Sequence, residues 1–112
     1  MSTIFITQEN SGFQYNDAER FGDLVFLTNK EYSASKTSLN NEQIRTQIER
    51  GLDKIQKDDY LLMTGNPVMM GYSFYVAAIK LAKQGVTDLN VLRWDNMQGQ
   101  YLAMSIPLDF TK

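Results

Sequence analysis

No cysteine and no histidine occur among the 112 residues. Those two absences exclude disulfides, thiolate nucleophiles and the usual Cys/His zinc sites. They also exclude every hydrolase that relies on a histidine base. Any chemistry would fall to carboxylates, Lys, Arg, Tyr or hydroxyls. An excess of positive charge is missing as well. Eleven Lys and Arg stand against thirteen Asp and Glu, for a formal charge of −2. Such a chain has no field to gather nucleic-acid phosphates or anionic lipid, and it is not acidic enough to imitate DNA. No long apolar run is present. The longest mainly apolar stretch, Val68 to Ala82, falls short of the ~20 residues of a membrane-spanning helix. The start, Met1-Ser2-Thr3-Ile4-Phe5-Ile6, has neither the basic segment nor the apolar segment of a secretory signal. The expectation is a cytoplasmic protein, with no membrane and no nucleic acid among its partners.

What remains suffices for one domain spanning residues 1–112. At 43% hydrophobic and 12% aromatic residues, the chain can build a core without a metal or a cross-link. Thr3-Ile4-Phe5-Ile6-Thr7 is β-branched and aromatic and reads as a first strand. Asn16 to Arg20 suits one helical turn capped by Asn16. Leu24-Val25-Phe26-Leu27, apolar throughout, reads as a second strand covered on both faces. The polar stretch from Thr28 to Leu39 is the longest loop.

A first helix is expected from Asn40. Asn40 and Gln43 make a capping-box pattern, Leu39 and Ile44 a hydrophobic staple. Ile44, Ile48, Leu52 and Ile55 form one narrow apolar stripe, and the helix is expected to end near Gln56-Lys57-Asp58. A third strand, Asp59 to Met63, stops at Thr64-Gly65 and turns into a second helix. Asn66 suits the N-cap of that helix and Pro67 its first turn. From Val68 to Ala82 the only polar side chains are Ser73 and Lys80, apart from two tyrosine hydroxyls. One apolar side carries Gly71, Tyr75, Ala78 and Ala82, the other Met70, Phe74, Ala77 and Leu81. A helix this apolar is either deeply buried or shared with a partner, a homodimer among the options. Gly85 closes it. Leu89 to Trp94 and Gln100 to Ile106 read as a hairpin around the turn Asp95 to Gly99. Alternating strands and helices imply right-handed crossovers and a parallel core. The expected fold is a small Rossmann-like α/β sandwich of about five strands, with two main helices and an antiparallel C-terminal hairpin.

In such sheets ligands bind beyond the carboxyl ends of the strands. That criterion selects Thr64, Gly65 and Asn66 as a candidate anion cradle. Asn10 would come from the end of the first strand and Lys30 from the end of the second. Arg93 would add counter-charge, and Trp94 a stacking surface. Free N–H groups at Val68 and Met69 would complete the cradle. The same turn also serves as a plain strand-to-helix connection. It has neither the repeated glycines of a dinucleotide fingerprint nor the Gly-Lys-Ser/Thr of a P-loop. Asp58 and Asp59 read as solvated turn residues. No catalytic set, metal site or cofactor is implied.

The run Asp59-Tyr60-Leu61-Leu62-Met63-Thr64-Gly65-Asn66-Pro67-Val68, the apolar helix, Leu92-Arg93-Trp94-Asp95 and the Tyr-containing last strand resemble small proteins encoded by tailed bacteriophages. That resemblance carries over no activity and no functional residue. It implies a setting in which small accessory factors bind host proteins or small molecules. The strand, the Thr-Gly turn and the helix are more loosely similar to Rossmann-like nucleotide-sensing domains. Two expectations follow. One is a non-enzymatic accessory protein acting through protein–protein contacts and self-association, with host modulation or an anti-defence role. The alternative is a sensor or sequestering protein for a nucleotide-like anion.

Overall fold

The computed structural model describes residues 2–9, 14–28 and 39–109. Its sheet has five strands: β1 (Thr3–Ile6), β2 (Asp23–Phe26), β3 (Tyr60–Leu62), β4 (Asp88–Asp95) and β5 (Gln100–Pro107). Their order is β2-β1-β3-β4-β5. The three pairs joining β2, β1, β3 and β4 are parallel, and β4 with β5 is antiparallel. The long helices are α1 (Leu39–Gly51) and α2 (Pro67–Lys83); a short 3₁₀ helix spans Asn16–Phe21. The small α/β fold with a parallel core and a C-terminal hairpin is therefore as the sequence implied.

The helices sort to two faces by strand alternation. Phe5, Leu61, Leu89 and Val91 turn to the face covered by α1 and α2, where they meet Ile44, Ile48, Met69, Ala77 and Leu81. Ile4, Ile6, Leu62 and Leu92 turn the other way, onto Tyr15, Ala18 and Tyr101 beneath the 3₁₀ helix. Leu61 and Leu62 are both buried, as a strand with a parallel neighbour on each side requires. The stripe Ile44, Ile48, Leu52, Ile55 is wholly inaccessible, and each such side chain contributes about 1.5–3 kcal/mol by leaving water. Tyr72 donates to Glu49 of α1 at 3.0 Å and Lys80 pairs with Asp53, in the turn after α1, at 2.6 Å, so α2 is also tied along its outer seam to α1 and to that turn.

Four local expectations change. β2 is an edge strand, with Val25 and Phe26 exposed rather than covered on both faces. An apolar run reports burial, but strand order decides which strand ends the sheet. α1 stops at Gly51, short of Gln56 to Asp58, and Leu52 and Ile55 complete the stripe from the segment that follows it. Gly51 lies where an added Cβ would come 2.6 Å from Leu27. Asp59 is not merely solvated: one carboxylate oxygen accepts from the Thr3 N–H at 2.9 Å and the other from the Gln56 N–H at 2.8 Å. At the 3₁₀ helix the capping position falls on Tyr15, not Asn16. The side chains of Leu39 and Asn40 and the loop residues 29–38 lie outside the described residues.

α2 divides its two apolar sides unequally. Met69, Ser73, Val76, Ala77 and Leu81 face the sheet. Gly71, Tyr75 and Ala82 face outward, joined by Val68 and Ile79, and Tyr75 is 61% exposed.

Candidate functional site

The chain leaves β1 toward one edge of the sheet and leaves β3 toward the other. The gap between those two strand ends is the switch point at which doubly wound sheets hold ligands. The turn Thr64-Gly65-Asn66 lies on one side of it, and Thr7 and Gln8 on the other.

Local chemistry shapes the β3 side. Asn66 sits in an extended conformation and accepts the Val68 N–H on its side-chain oxygen at 2.8 Å. Pro67 follows at the first helical position, where its missing N–H costs nothing. Gly65 has φ +99°, a value that side-chain-bearing residues rarely adopt. A Cβ there would also stand 2.6 Å from the Cβ of Gln8.

The two sides are stitched together. The Thr7 hydroxyl donates to the Thr64 carbonyl and accepts the Thr64 N–H at 3.0 Å. The Gln8 side-chain oxygen accepts the Asn66 N–H at 2.7 Å. Thr7, Gln8 and Thr64 are all buried. The polar groups lining the switch point therefore bond to one another. The Val68 N–H, expected to be free, is capped by Asn66. Thr64, Gly65 and Asn66 are thus brought together, with Thr7 and Gln8 as neighbours. Asn10 and Lys30 fall outside the described residues.

Arg93 and Trp94 lie on the part of β4 that outruns β3, whose pairing stops at Leu92. As strand neighbours they point to opposite faces. Trp94 packs edge-on against Tyr101, ring centroids 5.0 Å apart, and keeps 38% of its surface exposed. Arg93 is exposed.

One cluster has no local signature in the sequence. Asp17 and Arg20 of the 3₁₀ helix form an ion pair at 3.4 Å. They also grip the main chain of Tyr101: its N–H donates to Asp17 at 2.8 Å and its carbonyl accepts from Arg20 at 2.6 Å. Burial, followed by the charge environment of Tyr15 and Asp17, raises the Tyr101 phenol above its ordinary pKa. Tyr72 is raised too, by burial first and then by its bond to Glu49. No group of three or more acidic side chains that could hold a metal ion occurs among the described residues. Nor, among them, is any helix long and apolar enough to cross a membrane.

No curated protein matches the chain, and no solved structure does. A family profile does match, over residues 2–108, which takes in every strand and helix described above. The chain belongs to the family described as phage Pam3 gp32-like protein.

Proposed function

We propose that this phage-family protein is a non-enzymatic accessory factor that works through protein–protein contacts, self-association among them, in the cytoplasm of the infected cell. The observation that carries this reading is the outer face of α2. Val68, Tyr75 and Ile79 stand at 56%, 61% and 37% exposure. Gly71 lies between them with open space beside it. Large apolar side chains clustered on one exposed helix face mark interaction surfaces, and aromatic residues such as Tyr75 are favoured anchors. The test is affinity capture from infected-cell extract with the wild type and with Tyr75→Lys. Proteins retained by the first and lost by the second support the reading. Identical profiles overturn the role given to this face.

A second reading, a sensor or sequestering protein for a nucleotide-like anion, has the location of the Thr64-Gly65-Asn66 turn in its favour. Against it stands the mutual bonding of Thr7, Gln8, Thr64 and Asn66, which a ligand would have to break. Thermal denaturation against a nucleotide panel separates the two readings. A ligand at 100 times its dissociation constant adds about 2.7 kcal/mol, and a flat response across the panel removes this one.

A further inference from the structure

Among the described residues, β5 has a neighbouring strand on one side only. Its register with β4 runs unbroken from Asp88 opposite Pro107 to Asp95 opposite Gln100. In an antiparallel ladder, alternate residues turn both main-chain groups toward the partner strand and the others turn both away. The Leu92 carbonyl accepts the Met63 N–H of the β3 side, so the pair Leu92 and Ala103 is one that exchanges no bonds. The alternation then directs the main-chain groups of Tyr101, Ala103, Ser105 and Pro107 outward. Tyr101 obeys it: its N–H and carbonyl are the ones gripped by Asp17 and Arg20. Pro107 has no N–H to offer.

What is left is a short open edge. The N–H and carbonyl of Ala103 and of Ser105 flank Met104, and these three residues are exposed, Met104 by 45%. Open edges are normally guarded by charges, prolines or bulges. From Gln100 to Ser105 this strand has no charge, no proline and no bulge.

We propose that two copies of this chain pair antiparallel along this edge, about a two-fold axis at Met104. Ala103 of each copy exchanges both main-chain bonds with Ser105 of the other, giving one continuous sheet. The edge is its own complement: donors and acceptors are placed symmetrically around Met104, as an isologous contact demands. The pairing brings no like charges together across the axis. It also ends cleanly, at Tyr101 because its groups are spent and at Pro107 because it lacks a donor. Four bonds and a methionine pair make a contact smaller than the about 800 Å² per partner of a standard interface, so the dimer should dissociate in the micromolar range. The inference rests on the self-association half of the function proposed above and assigns it to β5, leaving the α2 face for another protein.

Sedimentation equilibrium of the full chain between about 1 and 200 µM tests it with three variants. Ser105→Pro removes one outward donor and none of the bonds to β4, which edge strands tolerate. Met104→Lys sets two like charges against each other at an already exposed position. Tyr75→Lys alters only the α2 face. The expected result is a wild-type dimer that Ser105→Pro and Met104→Lys each weaken at least ~10-fold, with Tyr75→Lys unchanged. Melting of each variant shows that the fold is intact, and Met104→Lys serves alone if Ser105→Pro does not fold. A dimer that survives the β5 variants and yields to Tyr75→Lys overturns the edge pairing and leaves self-association standing. A wild type that stays monomeric throughout overturns both.

Discussion

Replacing Gly65 by alanine should destabilise the fold, and its cost divides into two parts. The first is the backbone. A left-handed conformation costs a side-chain-bearing residue about 1–2 kcal/mol, and Gly65 sits at φ +99°. The second is Gln8. The new methyl would collide with its side chain, and moving that side chain breaks the 2.7 Å bond to the Asn66 N–H. That donor is part-buried, so leaving it unpaired costs about 1 kcal/mol, the lower end for a buried group. The sum is about 2–3 kcal/mol. Gly85 supplies the control. It has φ +80° and open space around it. It closes α2 with bonds from the Gly85 and Val86 N–H groups to Ala82 and Leu81, so Gly85→Ala should pay the backbone part alone. Urea unfolding followed by the single tryptophan, Trp94, gives both numbers at unchanged m-value. In a Gln8→Gly background, which removes the Gln8 Cβ along with the rest of its side chain, Gly65→Ala should fall to the cost of Gly85→Ala. Equal costs for the two glycines in the wild-type background would refute the argument that the switch point is packed shut by Gln8.

Two further outcomes are expected. Ser73 is fully buried on the sheet side of α2, and its hydroxyl has no hydrogen-bond partner among the described residues. Ser73→Ala should therefore stabilise the protein by about 1 kcal/mol, visible as a rise in Tm of several degrees. The Tyr101 phenol is raised by burial, so its neutral form stabilises the fold fully below the ordinary tyrosine range, and that contribution is lost as pH rises through the folded value. Tyr101→Phe should flatten this alkaline loss. At neutral pH it should cost about 1 kcal/mol for the 3.3 Å bond to the Gln14 carbonyl, and guanidinium midpoints measured from pH 7 upward follow both effects.

The elements written in adjacent residues were legible. Asn66 and Pro67 mark the start of α2, and Gly85 its end, because caps are chemistry between near neighbours. The α1 stripe was equally plain, since a period of 3.6 needs only one helix to express it. The position of β2 at the sheet edge was not, because strand order is a property of the whole sheet. The orientation of α2 was hidden for a different reason: a helix apolar on most sides has no periodic signal to say which side faces in. The candidate turn was found from its own residues, but its closure by Thr7 and Gln8 depends on a parallel register between segments 57 and 58 positions apart. Nothing near Asp17 or Arg20 announces Tyr101 as their partner.

That last attachment has a consequence for how the molecule comes into being. The bonds from Asp17 and Arg20 to Tyr101 span 84 and 81 positions, so the segment after β1 cannot take its final seat until synthesis has passed Tyr101. Contacts this remote in sequence form slowly, and the nascent chain must carry Ile4, Ile6 and Leu62 partly uncovered while it waits. The strand β5 therefore closes the face that β1 and the 3₁₀ helix began.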